Sequence, residues 1–194
     1  MIEAELKAYV RDPERVRQLL LDMGEEEVSI YRDTYYDWPD HSFTIQEREL
    51  RLRVVETDET TRCLLTYKQS PVDEVSQSKP EYETQVGTQS TMDFILRSLG
   101  LTYLVAFEKH CRNFALEIEG RQVLATLVRV PELDEKFIEV ETLVDDEGDV
   151  EPGLRIVRDL LAELKIDQDD ITTVTYTSLV LRRREALGRL PTPG

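Results

Sequence analysis

The chain has 194 residues, 40% hydrophobic and 33% charged, with 40 acidic against 24 basic side chains and a net charge of −16. That composition describes one globular domain with a substantial core and excludes a disordered chain, and a surface this acidic repels nucleic acid and anionic membrane. Two cysteines without a CxxC pair (Cys63, Cys111) and two histidines (His41, His110) cannot assemble a zinc-type cluster.

The first residues, MIEAELKAYV, alternate Glu3, Glu5 and Lys7 with Ile2, Ala4, Leu6 and Ala8. A period of two predicts a strand over 2–10 with the charged set on one face and the apolar set on the other. They lack a signal-peptide core, and no apolar run approaches the ~18–20 residues of a membrane span, so a cytoplasmic protein is expected. Asp12-Pro13 reads as an N-cap followed by proline at the first helical position, and Val16, Leu19, Leu20 and Met23 carry that helix to Gly24.

EEVSIYRDTYYDWPD predicts a β-branched and aromatic strand that stops at a Pro-Asp turn, with Tyr35, Tyr36 and Trp38 in core and rim packing. ELRLRVVE sets Arg51 and Arg53 opposite Leu50, Leu52 and Val54, and RCLLTYKQ puts Arg62, Leu64, Thr66 and Lys68 on one side. SPVDEVSQSKP is expected to be a loop, and EYETQV a strand with Glu81, Glu83 and Gln85 together. Ser90 with Asp93 resembles a capping box before a short helix that Gly100 closes.

YLVAFEKHCR, NFALEIEGR and QVLATLVRV are three further expected strands, and KFIEVETLV is another, with Phe137, Glu139 and Glu141 on one face. Pro152 opens an amphipathic helix that runs through Leu164, and VTYTSLVLRRREAL forms the last helix. The Arg-Arg-Arg run at 182–184 reads as a solvated helix end, and the two histidines as structural or solvated groups. The expected organisation is a single domain over 1–184 with a flexible tail over 185–194.

Long crossovers between successive strands are scarce, which favours antiparallel pairing, and a strand-helix-strands pattern recurs as a pseudo-repeat. The expected fold is α+β: an antiparallel β-barrel of about eight strands with helices packed outside.

One strand with a polar face ordinarily turns that face to water. Here the polar faces are pure carboxylate (Glu3/Glu5, Glu81/Glu83, Glu139/Glu141) or mostly basic (Arg51/Arg53, Thr66/Lys68). Carboxylates at i and i+2 repel unless a cation lies between them. In a closed barrel these faces can turn inward and line a tunnel. Hard carboxylate oxygens suit Mg²⁺ or Mn²⁺, while Arg and Lys suit a polyanion, a combination fitted to a di- or triphosphate.

The motifs have a family likeness. EAELK matches the ExExK signature of the CYTH superfamily of class IV adenylyl cyclases and thiamine triphosphatases. TYYDWPD, ELRLR, LTYK, SKPEYE, FEKHCR, FIEVE and YTSLVL then resemble, in order, the family's later elements. The resemblance implies a triphosphate tunnel in which Glu3, Glu5, Glu139 and Glu141 gather around one or two Mg²⁺ or Mn²⁺ ions. It implies that Lys7 is catalytic, and that Arg51, Arg53, Lys68, Lys79 and Lys109 hold phosphates with Glu81 and Glu83 inside the tunnel.

Three departures stand out. Lys79 replaces a more usual arginine. Alternation puts Cys111 rather than Arg112 beside Lys109, so Arg112 reaches substrate only if a bulge re-aims it. Ala125 or Thr126 stands where the family often carries an aspartate. The implied activity is class IV cyclase-like conversion of ATP to cyclic AMP and pyrophosphate. Hydrolysis of tripolyphosphate, thiamine triphosphate or a nucleotide is the alternative, and a non-catalytic polyphosphate-binding module a second. A homodimer is compatible with either.

Overall fold

Alternation with a period of two runs through the strands, and it is turned inside out: the apolar faces look outward toward helices and the charged faces inward. The computed structural model describes residues 1–73 and 76–188. Its strands are β1 (Ile2–Tyr9), β2 (Glu26–Asp37), β3 (Glu49–Glu56), β4 (Thr61–Lys68), β5 (Lys79–Val86), β6 (Thr102–Ile118), β7 (Arg121–Arg129) and β8 (Lys136–Val144). They pair antiparallel in the order β1-β5-β4-β3-β2-β6-β7-β8, which closes as a barrel.

Five α-helices accompany the barrel: α1 (Pro13–Leu21), α2 (Ser42–Ile45), α3 (Gln89–Ser98), α4 (Val150–Glu163) and α5 (Tyr176–Ala186). The meander β2-β3-β4-β5 follows α1, and β6-β7-β8 follows α3 and meets β1, so the expected pseudo-repeat has a topological counterpart. No helix among the described residues is long and apolar enough to cross a membrane.

Burial of apolar surface decides which way each face points. Ile2, Ala4, Leu6 and Ala8 of β1 are buried in one cluster with Leu154, Val157 and Leu161 of α4, so the opposite face of β1 must look into the barrel. On the other side, Leu96 of α3 packs with Tyr36, Leu50 and Leu52. The third cluster closes one end of the barrel, where Tyr176 and Val180 of α5 meet Phe107, Val128 and Phe137.

Three local expectations change. Residues 102–118 form one 17-residue strand rather than two, because Asn113 is buried in the sheet, bonded to Ser29 and Thr126, and makes no turn. The expected capping box is absent: α3 begins at Gln89, and Asp93 instead accepts hydrogen bonds from the hydroxyls of Tyr36 (2.8 Å) and Tyr103. The Pro-Asp turn leads into α2, which is organised by buried Asp37. Its carboxylate accepts from the backbone N–H groups of Trp38, Phe43 and Thr44 and from the Thr44 hydroxyl. The last helix, expected over VTYTSLVLRRREAL, is α5, and residues 189–194 of the expected tail lie outside the described residues.

Helix α4 lies close on the β1–β8 seam at Gly153, where an added Cβ would come 3.1 Å from Val144 and 3.2 Å from Ala4 and Thr142. Gly153→Val therefore forces the helix away from the seam and is expected to destabilise the protein by about 1–3 kcal/mol. Urea denaturation of the two proteins measures it.

Candidate active site

The inward faces line a cavity of about 410 Å³ inside the barrel. Strand β1 contributes Glu3, Glu5 and Lys7, β3 contributes Arg51 and Arg53, and β4 contributes Lys68. Lys79, Glu81 and Glu83 enter from β5, Lys109 from β6, and Glu139 and Glu141 from β8. Of the lining residues seven are acidic and seven basic, so the tunnel is balanced while the rest of the chain carries the net −16.

Most of these charges are paired. Lys68 donates to Glu3 and, at 2.9 Å, contacts Glu81. Lys79 donates to Glu49 at 2.7 Å, and Lys109 to both oxygens of Glu139 at 3.1 and 3.0 Å. Arg53 donates through Nε and Nη2 to Asp33 at 2.6 and 2.7 Å and lies 4.4 Å over the Tyr31 ring, a two-pronged grip that fixes the guanidinium plane. Arg51 donates to the Thr66 hydroxyl at 3.3 Å, but its buried Nε has no acceptor among the described residues.

Lys7 and Lys109 both approach the ring of Tyr176, at 4.7 and 4.5 Å from its centre. Burial pushes the Lys7 ammonium down from its ordinary pKa against the pull of Glu5 and Glu139, and Lys109 adds repulsion. The Tyr176 hydroxyl is buried without a well-formed hydrogen bond, and burial and the Glu139 charge raise its pKa.

On the β1–β8 seam, Glu5 faces Glu141 and Lys7 faces Glu139. Carboxylate oxygens of Glu3, Glu5 and Glu141 lie within 4.8 Å of one another. Burial would raise Glu3, but Lys68 overcomes it and holds the carboxyl at about 2. Burial, with the charges of Glu3 and Glu139, pushes Glu5 up to about 7, and burial with Glu3 and Glu5 pushes Glu141 well above the ordinary range. Three converging hard oxygen donors, two of them reluctant to ionise together, fit the Mg²⁺ or Mn²⁺ expected from the sequence.

The structure brings together Glu3, Glu5, Lys7, Arg51, Arg53, Lys68, Lys79, Glu81, Glu83, Lys109, Glu139 and Glu141 around this cavity. Arg112 is the exception. It sits on the outer face, 44% exposed, and donates to Glu26 at 2.9 Å. The irregularity in the β2–β6 pairing falls at Tyr35/Tyr36, too far along the strand to re-aim it. Cys111 takes the inner position, with its thiol pushed up to about 12 by burial. At the expected aspartate, Thr126 is paired opposite Glu139 and donates to Asn113.

Sequence reasoning passed over Asp33 and Glu49, although each keeps the alternation of its strand, and placed Arg62 on the face of Lys68 without naming it for the site. Tyr176 carries no such signal, since it comes from a helix at the barrel end. In the Arg-Arg-Arg run Arg182 and Arg183 are exposed, as expected of a solvated helix end, while Arg184 is held by Glu132 and the Ala106 carbonyl. His110 pairs with Glu108 on the outer face.

Burial would raise Asp33, but Arg53 overcomes it and holds the carboxyl at about 2, below its ordinary 3.8. A lowered folded pKa gives stability that is fully present above the ordinary value and lost as pH falls through about 2. Asp33→Ala leaves Arg53 buried and unpaired, with an expected loss of about 3 kcal/mol at pH 7. Denaturation across pH should show the gap from wild type widest above pH 4 and narrowing toward pH 2.

The barrel has relatives of known structure. A Pyrococcus horikoshii protein superposes with a TM-score of 0.81 at 26% identity, covering 94% of this chain and 99% of its own. A Hippeastrum protein, described as a putative adenylyl cyclase with a dominant triphosphatase activity, superposes with a TM-score of 0.65 at 14% identity, covering 98% and 97%. A Methanocaldococcus jannaschii protein named putative adenylate cyclase is 25% identical over 92% of this chain and 98% of its own length. The CYTH domain model matches residues 1–176, from the opening strand to the tyrosine that closes the barrel, and the chain belongs to that family.

Proposed function

We propose that the protein is a divalent-metal-dependent enzyme that draws a triphosphate into the tunnel and cleaves it, with conversion of ATP to cyclic AMP and pyrophosphate as the leading reaction. The observation that carries this reading is the grouping of Lys7, Arg51, Arg53, Lys68 and Lys109 on the wall of one cavity with the converging carboxylates of Glu3, Glu5 and Glu141. Cationic side chains set along one cavity suit the oxygens of a phosphate chain, and converging carboxylates suit the cation that accompanies it.

Mg²⁺ or Mn²⁺ held by Glu3, Glu5 and Glu141 would supply charge neutralisation to the phosphates. A chain of −16 repels a bare triphosphate, so substrate arriving as its metal complex meets a smaller barrier. Arg51, Arg53 and Lys68 orient the phosphates, and Lys7 adds a positive charge where negative charge develops during cleavage. In cyclisation the ribose 3′-oxygen forms a bond to the α-phosphorus as the bond to pyrophosphate breaks.

A second pocket of about 400 Å³ at the plugged end favours an organic triphosphate over the inorganic chain. It shares Tyr35, Glu49 and Lys79 with the tunnel and adds apolar walls from Leu50, Leu104 and Leu181. Hydrolysis is the second reading, favoured by the dry, pKa-lowered Lys7, which could orient a water toward the terminal phosphorus.

Product analysis with ATP, tripolyphosphate and thiamine triphosphate under Mg²⁺ and Mn²⁺ tests the assignment. Cyclic AMP supports the leading reading, phosphate release alone supports the second, and binding without turnover would leave only a phosphate-binding module. Lys7→Ala is expected to lower kcat/KM on the order of 10²-fold while the melting temperature stays within a few degrees. Unchanged kinetics would place Lys7 outside the chemistry.

A further inference from the structure

We propose that the tunnel holds one divalent cation, between Glu3, Glu5 and Glu141, and that Lys109 withdraws Glu139 from the metal. The proposal rests on the metal reading above and refines it. Although β8 supplies Glu139 and Glu141 two residues apart on one face, the seam gives them opposite neighbours: Glu141 stands across from Glu5, and Glu139 across from Lys7. Carboxylate therefore meets carboxylate at one level and ammonium at the next.

At that second level the cationic place is already filled. Lys109 is 3% exposed, and its ammonium bonds both oxygens of Glu139 at 3.1 and 3.0 Å. The Tyr176 ring sits beside the ammonium groups of Lys7 and Lys109 and offers both its negative face. A second divalent ion there would approach two ammonium groups and find one carboxylate, both of whose oxygens are engaged.

On the β7 side of Glu139 the cavity wall is Leu124 and Thr126, with no carboxylate. Thr126, opposite Glu139 on β7, donates to the Asn113 side-chain oxygen at 3.1 Å, and the Asn113 amide donates to Ser29 at 2.8 Å. All three are buried and neutral. In the three-carboxylate group Lys68 lies near all three members but hydrogen-bonds only Glu3 of them, its other contact being Glu81, so Glu5 and Glu141 bond no cationic side chain among the described residues. One level of the seam is built for an external cation and the next carries its own.

Titration of the metal-free full chain with Mn²⁺, followed by the resonance signal of the free ion, tests this without reference to activity. The expected stoichiometry is one Mn²⁺ per chain. Glu141→Gln should weaken binding at least ten-fold, and Glu139→Gln should leave the Kd within three-fold of wild type. Because Glu139→Gln strands a buried ammonium, the double variant Glu139→Gln with Lys109→Met removes both charges and should bind Mn²⁺ as the wild type does. Two ions per wild-type chain, or equal weakening by Glu139→Gln and Glu141→Gln, would overturn the proposal and leave the metal reading standing. No Mn²⁺ bound at all would overturn both.

Discussion

Fourteen ionisable side chains can share one cavity only if most of the charges lie close to opposite ones, because burial makes an isolated ion very costly. The barrel meets this condition through strand register. Most tunnel glutamates stand on the adjoining strands β8, β1 and β5, and most lysines and arginines on β3, β4 and β6, so that across the bore Lys68 reaches Glu3 and Glu81 and Lys109 reaches Glu139, while Arg53 reaches Asp33 on the neighbouring β2. A one-residue slip of any strand would exchange its charged face for its apolar one and leave both in the wrong place.

Register in turn depends on the outer shell. Helix α4 covers β1 and β8 with a continuous apolar cluster, and these two strands carry the three carboxylates that converge. The close approach at Gly153 and the metal-type cluster thus lie on opposite faces of the same seam. Helix α5 contributes differently: it seals one end with Tyr176 and Val180 and sets an aromatic ring between two lysines. Core packing and the charge pattern are two sides of one set of strands, and neither is stable without the other.

Much of this was legible in the amino-acid sequence because a strand broadcasts its faces locally. Alternation in IEAELKAY, ELRLR and FIEVE marked the inward sets before any pairing was known, and their unusual purity argued that they face a site rather than water. What could not be read is what depends on partners distant in sequence. Asn113 looks like a turn former until Ser29 and Thr126 satisfy it within a continuous strand. Asp93 looks like a capping residue until two tyrosine hydroxyls claim it. Arg112 shared a motif with Lys109 but not its face, and Tyr176 entered the tunnel from a helix whose own sequence gives no inward signal.

Site chemistry follows the same division between local pattern and long-range pairing. Charges that find a partner inside the protein fix the cations of the tunnel wall, as Asp33 does for Arg53, while those left short of one are where the proposed ligand would sit. Among the described residues neither Glu5 nor Glu141 bonds a cationic side chain, although their oxygens converge with those of Glu3. The most direct test is a thermal melt of the full chain with Mg²⁺, with tripolyphosphate and with both, since a ligand of the native state raises its stability. The tunnel account predicts that the two together raise the melting temperature by more than the sum of their separate effects. A melting temperature unchanged by any of the three additions would contradict it.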